Sequence, residues 1–201
     1  MIAAPKYGFV FLAMPKCASS AIEAAVGSQG LFSLSRNPLK HMQASEFEEL
    51  VAPLIDFAGH PRSSYETLCL FREPIDWLHS WWRYRSRPAL ADPHSPRHEN
   101  YTGHVTFEEF IESYIRGDAD YARITRQAEF VSDTAGAVCV DRIFKYEQSH
   151  DLLDYLKTKL GLEIAIDRVN VSPERELQIS DRARAVLREF LAPEYAIYEG
   201  L

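Results

Sequence analysis

Tyr7-Gly8-Phe9-Val10-Phe11-Leu12-Ala13-Met14-Pro15-Lys16-Cys17-Ala18-Ser19-Ser20 is the stretch whose reading decides the fold. From Phe9 to Met14 apolar side chains occupy consecutive positions instead of alternating with polar ones. A strand with that pattern is buried on both faces, as in a parallel sheet covered by helices on either side. Pro15 ends the run. A helix of small residues then opens near Ser19 or Ser20, with Ala21 and Ala25 on one face and Ile22 and Val26 on another. Side chains of that size permit close packing on a sheet. Strand, short turn and helix make one unit of an α/β architecture.

The same unit recurs further along. Thr67 to Phe71 reads as a second buried strand, and Pro74 suits the first turn of a helix running to about Arg85. Between the two units, Ser45 and Glu48 have the spacing of a capping box before a short helix. Arg87 to Gly103, rich in Pro, His, Ser and Asn, reads as a long loop. Thr106 and Glu109 cap another helix, with Phe107, Phe110, Ile111 and Tyr114 on its apolar side. Strand-like stretches lie between Val138 and Tyr146, Ser149 opens a helix ended by Gly161, and Ser180 opens the last clear helix. The alternation predicts an α/β, P-loop-like three-layer fold, with a central parallel sheet flanked by helices, in a single domain over residues 1–201.

Composition narrows the function. The formal net charge is −7, which argues against a nucleic-acid partner. No apolar run approaches the roughly 20 residues that cross a bilayer, so no membrane partner is expected. Met1 to Lys6 leads straight into a strand-like run and does not read as a signal peptide. Cys17, Cys69 and Cys139 are odd in number and far apart, which predicts free thiols in a cytoplasmic protein and no metal site.

Two segments carry chemistry. Pro15-Lys16-Cys17-Ala18-Ser19-Ser20 joins a strand to a helix N-terminus, where backbone N–H groups lack helical partners and the dipole is positive. That junction binds anions, and Lys16, Ser19 and Ser20 add a charge and two hydroxyls. The plainer alternative is a turn with a surface lysine and a serine cap. The Walker A pattern is absent. The second segment is Phe71-Arg72-Glu73-Pro74-Ile75-Asp76-Trp77-Leu78-His79-Ser80. Arg72 ends a strand, at the edge where open α/β sheets gather their ligands, and its planar fork suits phosphate. The plainer alternative there is a helix-capping ion pair and a solvated serine.

Taken together these segments resemble the sulfotransferase family. PKCASS, residues 15–20, resembles the family's 5′-phosphosulfate loop, usually PKxGTT or PKxGTS. Arg72, Pro74 and Ser80 resemble its 3′-phosphate motif. Arg168-Val169-Asn170-Val171-Ser172 resembles the N-V-S segment of a group that includes heparan sulfate enzymes and short bacterial members, and Lys145-Tyr146-Glu147 resembles that group's R-Y-E strand end. The matches occur in family order over almost the whole chain. Ala18 and Ser19 stand where the family has Gly and Thr; serine keeps the hydroxyl, whereas alanine resists positive φ.

The resemblance implies an enzyme that moves a sulfuryl group from 3′-phosphoadenosine 5′-phosphosulfate (PAPS) to a hydroxyl or amine of a small-molecule or glycan acceptor, without a metal. It implies that Pro15, Lys16, Cys17, Ala18, Ser19 and Ser20 hold the phosphosulfate, with Lys16 stabilising the leaving group. Arg72 and Ser80 would hold the 3′-phosphate, and Asn170 and Ser172 would complete the donor site. The acceptor proton calls for a base that titrates near neutral pH, and histidine is the first choice. Related sequences carry a Lys-His segment before a helix in this region, which points to His41, with His60 and then Glu46 as the next candidates. Trp77, Trp81 and Tyr84 share a helix face and read as core packing or as an aromatic wall for adenine or a sugar. Arg83, Arg85 and Arg87 read as a solvated helix end or as contacts to an anionic acceptor. The competing functions are a nucleotide or nucleoside kinase-like enzyme and a non-catalytic nucleotide-binding protein with a degenerate phosphate loop.

Overall fold

The computed structural model describes residues 1–165 and 172–201. They fall into two compact units, one comprising Met1–Arg72, the described part of Arg126–Val169, and Gly200–Leu201. The other comprises Glu73–Thr125 and the described part of Asn170–Glu199.

The first unit is built on a mixed sheet of β1 (Ile2–Ala4), β2 (Phe9–Phe11), β3 (Phe32–Ser33), β4 (Glu66–Phe71) and β5 (Arg142–Lys145). Their order is β3-β1-β2-β4-β5. β2 runs parallel to β4, with Phe9 opposite Glu66 and Phe11 opposite Leu68, and β4 runs parallel to β5. These are the strands expected from the sequence. β1 is an addition: Ile2-Ala3-Ala4 pairs antiparallel with both β2 and β3. The segment before Tyr7 is therefore part of the sheet, and the sheet is mixed where a parallel one was predicted. Phe9, Val10 and Phe11 are all buried, as are Leu68, Cys69, Leu70 and Phe71. Successive strand residues point to opposite faces, so both faces of β2 and β4 are covered.

The helices of this unit are α1 (Ser19–Val26), α2 (Ala44–Leu50), α3 (Ala52–Phe57), α7 (Gln127–Val131) and α8 (Ser149–Leu160). α1 buries Ala21, Ile22 and Val26, and α8 buries Leu152, Leu156 and Leu160. Gly161 stops α8 at φ 65°, a left-handed conformation with no steric cost for glycine. The α2 cap lies two residues earlier than predicted: the Gln43 N–H donates to Glu46 Oε2 at 2.8 Å. The Ser45 and Glu48 spacing fails as a box because the helix already starts at Ala44, and Glu48 pairs with Arg62 at 2.9 Å.

The second unit contains α4 (Pro74–Arg85), α5 (Pro88–Ala91), α6 (Phe107–Arg116), α9 (Asp181–Phe190) and α10 (Ala192–Glu199). α4 has the predicted bounds. Glu73 caps it by accepting the Asp76 N–H at 2.7 Å, and Tyr195 on α10 donates to the same carboxylate at 2.5 Å. Burial and that carboxylate push the Tyr195 phenol pKa up. Thr106 and Glu109 form the expected capping box of α6. The stretch read as one long loop holds α5 and a 3-10 turn at His98–Asn100.

Candidate active site

The loop between β2 and α1 departs from ordinary backbone geometry. Lys16 has φ 63° and Ala18 has φ 52°, and they are the two non-glycine residues with positive φ among the described residues. Each such residue costs about 1–2 kcal/mol, and strain of this kind collects at functional sites. Ala18 is also the N-cap of α1, and no side chain caps the helix there. The first N–H groups of a helix have no partner within it, and an alanine cap supplies no oxygen to them. Ala18 itself is exposed. The loop thus places Lys16 two residues before an uncapped helix start, and backbone N–H groups at such a start can serve an anion.

Ser19 is buried and Ser20 half-buried. The Ser20 hydroxyl accepts a hydrogen bond from Lys40 Nζ at 3.0 Å, which leaves its own proton to donate elsewhere. Lys40 also pairs with Glu23 Oε2 at 2.6 Å. In the sequence Lys40 stands out only as the neighbour of His41; in the fold it brings a second ammonium to the first turn of α1.

Arg72, at the end of β4, meets this loop. Its Nη1 donates to the Lys16 carbonyl at 3.0 Å, and its guanidinium lies 4.4 Å from the centroid of the Tyr146 ring. The two motifs, 56 residues apart, are in direct contact. Tyr146 follows the end of β5 and opens a 3-10 turn. Its ring gives the buried arginine a cation–π face that a solvated side chain would lack.

His41 is half-buried, and its Nδ1 lies 2.6 Å from the Ala13 carbonyl, two residues before Pro15. A carbonyl only accepts, so Nδ1 carries the proton of the neutral ring and Nε2 keeps the lone pair. Burial, with help from the adjacent Lys40 ammonium, outweighs the bond to Ala13 and holds the imidazole pKa below its ordinary value. At neutral pH the ring is uncharged and suited to accept a proton. His60, by contrast, is placed at the end of α3, where its N–H donates to the Ile55 carbonyl at 3.1 Å. Glu46 is engaged in capping α2.

In the second unit, Ser80 is buried on α4 and Ser172 is half-buried. Asn170 lies outside the described residues. Trp77 is buried and meets Trp81 edge-on at 6.2 Å, and Trp81 meets Tyr84 edge-on at 5.7 Å. Arg85 fits neither reading of the arginine run. It is buried, and it donates to the carbonyls of Asp120 at 2.8 Å and Arg123 at 3.0 Å. Burial lowers its pKa to about 10. Its work is to tie down the segment after α6, which no local pattern in the sequence foretells.

The loop conformation has a measurable consequence. Ala18→Gly removes the left-handed penalty and adds some unfolded-chain entropy, about 0.4–1 kcal/mol in the other direction. The net expectation is a protein more stable by roughly 0.5–1 kcal/mol, read from urea unfolding midpoints. A less stable variant would contradict the positive φ at this position.

No family model matches the sequence, and no curated protein matches it. A solved structure of a sulfotransferase from Alicyclobacillus acidocaldarius is similar at 14% identity, over 94% of this chain and 92% of that chain, with a TM-score of 0.46. No helix among the described residues is long and apolar enough to cross a membrane.

Proposed function

We propose that the chain is a sulfotransferase that takes its sulfuryl group from PAPS and passes it to a hydroxyl or amine of a small-molecule or glycan acceptor. The observation that carries this reading is the contact between Arg72 and the strained loop at Lys16. It joins two anion-binding elements at the carboxyl ends of adjacent parallel strands, as a nucleotide bearing two separate anionic groups requires. The loop and the start of α1 take the 5′ end of the donor, and Arg72 takes the 3′-phosphate.

In the reaction the acceptor oxygen or nitrogen bonds to sulfur as the bond from sulfur to the bridging phosphate oxygen breaks. The electron pair leaves on that oxygen, and adenosine 3′,5′-bisphosphate is the product. Lys16 stabilises the growing charge, and His41 Nε2 takes the acceptor proton. Charge stabilisation and proton removal are thus assigned to different side chains, and the His41 ring is held by the Ala13 carbonyl just before the loop.

The direct test is transfer of radiolabelled sulfuryl from PAPS to a panel of sugars, phenols, alcohols and amines. Labelled product supports the proposal. No product with any acceptor, alongside tight binding of adenosine 3′,5′-bisphosphate, would leave a nucleotide-binding protein instead. Arg72→Ala is expected to lose about 2–5 kcal/mol of adenosine 3′,5′-bisphosphate binding by calorimetry and little of AMP binding. Equal losses for the two ligands would remove Arg72 from the 3′-phosphate.

A further inference from the structure

We infer that Gln127 is a positioning residue that fixes Arg72 against the phosphosulfate loop, an assignment that rests on the donor site proposed above. Gln127 opens α7 and is 0% exposed. Its Oε1 accepts the Arg72 N–H at 3.0 Å, and its Nε2 donates to the Arg72 carbonyl at 2.9 Å. The Cys17 thiol also approaches Oε1, at 3.9 Å, from the loop itself. One amide side chain therefore touches both phosphate motifs.

Strand pairing explains why such a residue is needed. The ladder between β4 and β5 ends at Phe71 opposite Lys145. Arg72 is the next residue, buried, with a donor and an acceptor that the sheet no longer serves. A buried backbone group without a partner is costly, so the chain there would shift to find one. The Gln127 amide presents an acceptor and a donor side by side, as a neighbouring strand would, and extends the sheet by one residue. Its orientation is fixed, because an N–H must face oxygen and a carbonyl must face N–H. The guanidinium then starts from a fixed backbone, leans on Tyr146 and reaches the Lys16 carbonyl.

Two variants separate positioning from mere packing. Gln127→Met keeps the length and removes both polar groups. Gln127→Glu keeps the acceptor for the Arg72 N–H and loses the donor, and it serves if the methionine variant does not fold. Each is titrated calorimetrically with adenosine 3′,5′-bisphosphate and with AMP, in the wild-type and Arg72→Ala backgrounds, with folding checked by circular dichroism. The expected result is a loss of roughly tenfold or more in bisphosphate affinity, a smaller loss for AMP, and almost no further loss once Arg72 is alanine. A general structural role would lower both ligands equally and would persist in the Arg72→Ala background, and either outcome overturns the inference. Should the unaltered protein itself show no preference for the bisphosphate over AMP, the donor reading falls, and the assignment of Gln127 falls with it.

Discussion

His41→Ala is expected to slow sulfuryl transfer by about 10²–10⁴-fold while leaving the affinity for adenosine 3′,5′-bisphosphate unchanged. The ring is held by one hydrogen bond, from Nδ1 to the Ala13 carbonyl, which selects the tautomer with its lone pair on Nε2. Burial keeps the ring neutral by lowering its pKa. The turnover of the wild-type protein should therefore rise with pH along a limb whose midpoint lies below the ordinary histidine value of about 6.5. The sign for stability follows from the same shift. The folded state binds the proton less readily than the unfolded chain, so the contribution is complete above about pH 6.5 and declines as pH falls toward the folded pKa. His60→Ala is the control and should be close to wild type. Loss of transfer in His60→Ala with retention in His41→Ala would exchange the two assignments, and retention in both would move the base elsewhere.

Lys16→Ala is expected to lower kcat by about 10²–10³-fold, with a much smaller effect on donor affinity. Charge on the bridging oxygen grows as the bond to sulfur breaks, so an ammonium there is worth more in the transition state than before it. The variant is clean for a structural reason. Arg72 bonds to the main-chain carbonyl of residue 16, which alanine retains. The strained φ of 63° is as unwelcome to alanine as to lysine, so backbone strain is unchanged. Near-normal turnover in Lys16→Ala would contradict the leaving-group role. A loss confined to KM would show uniform binding instead.

The elements that sequence periodicity made legible are those whose signals are local. β2, β4 and α4 follow from continuous apolar runs and a proline at a helix start, and the end of α8 follows from Gly161. Thr106 and Glu109 announce α6 through a cap that closes within three residues. β1 escapes because Ile2-Ala3-Ala4 is three residues long and has no period of its own; its pairing with β2 and β3 makes it a strand. The contact between Lys16 and Arg72 follows from the rule that parallel strands present their carboxyl ends together. Gln127 and Arg85 could not be found this way. Each acts on backbone groups far away in sequence, 55 residues for Gln127 and 35 or more for Arg85, and a lone polar residue gives no hint of that partner. Ala18 is the reverse case. Its local preference opposes the left-handed conformation it adopts, and local preference yields to the rest of the structure most often at functional sites.

The most direct measurement is a calorimetric titration of the unaltered protein with adenosine 3′,5′-bisphosphate, AMP, and ATP with Mg²⁺. Arg72 contacts the strained loop, and under the proposed function the two hold separate anionic groups of one nucleoside, so the bisphosphate should bind at least about tenfold more tightly than either of the others. Equal affinity for bisphosphate and AMP, or tighter binding of ATP with Mg²⁺, would contradict the account.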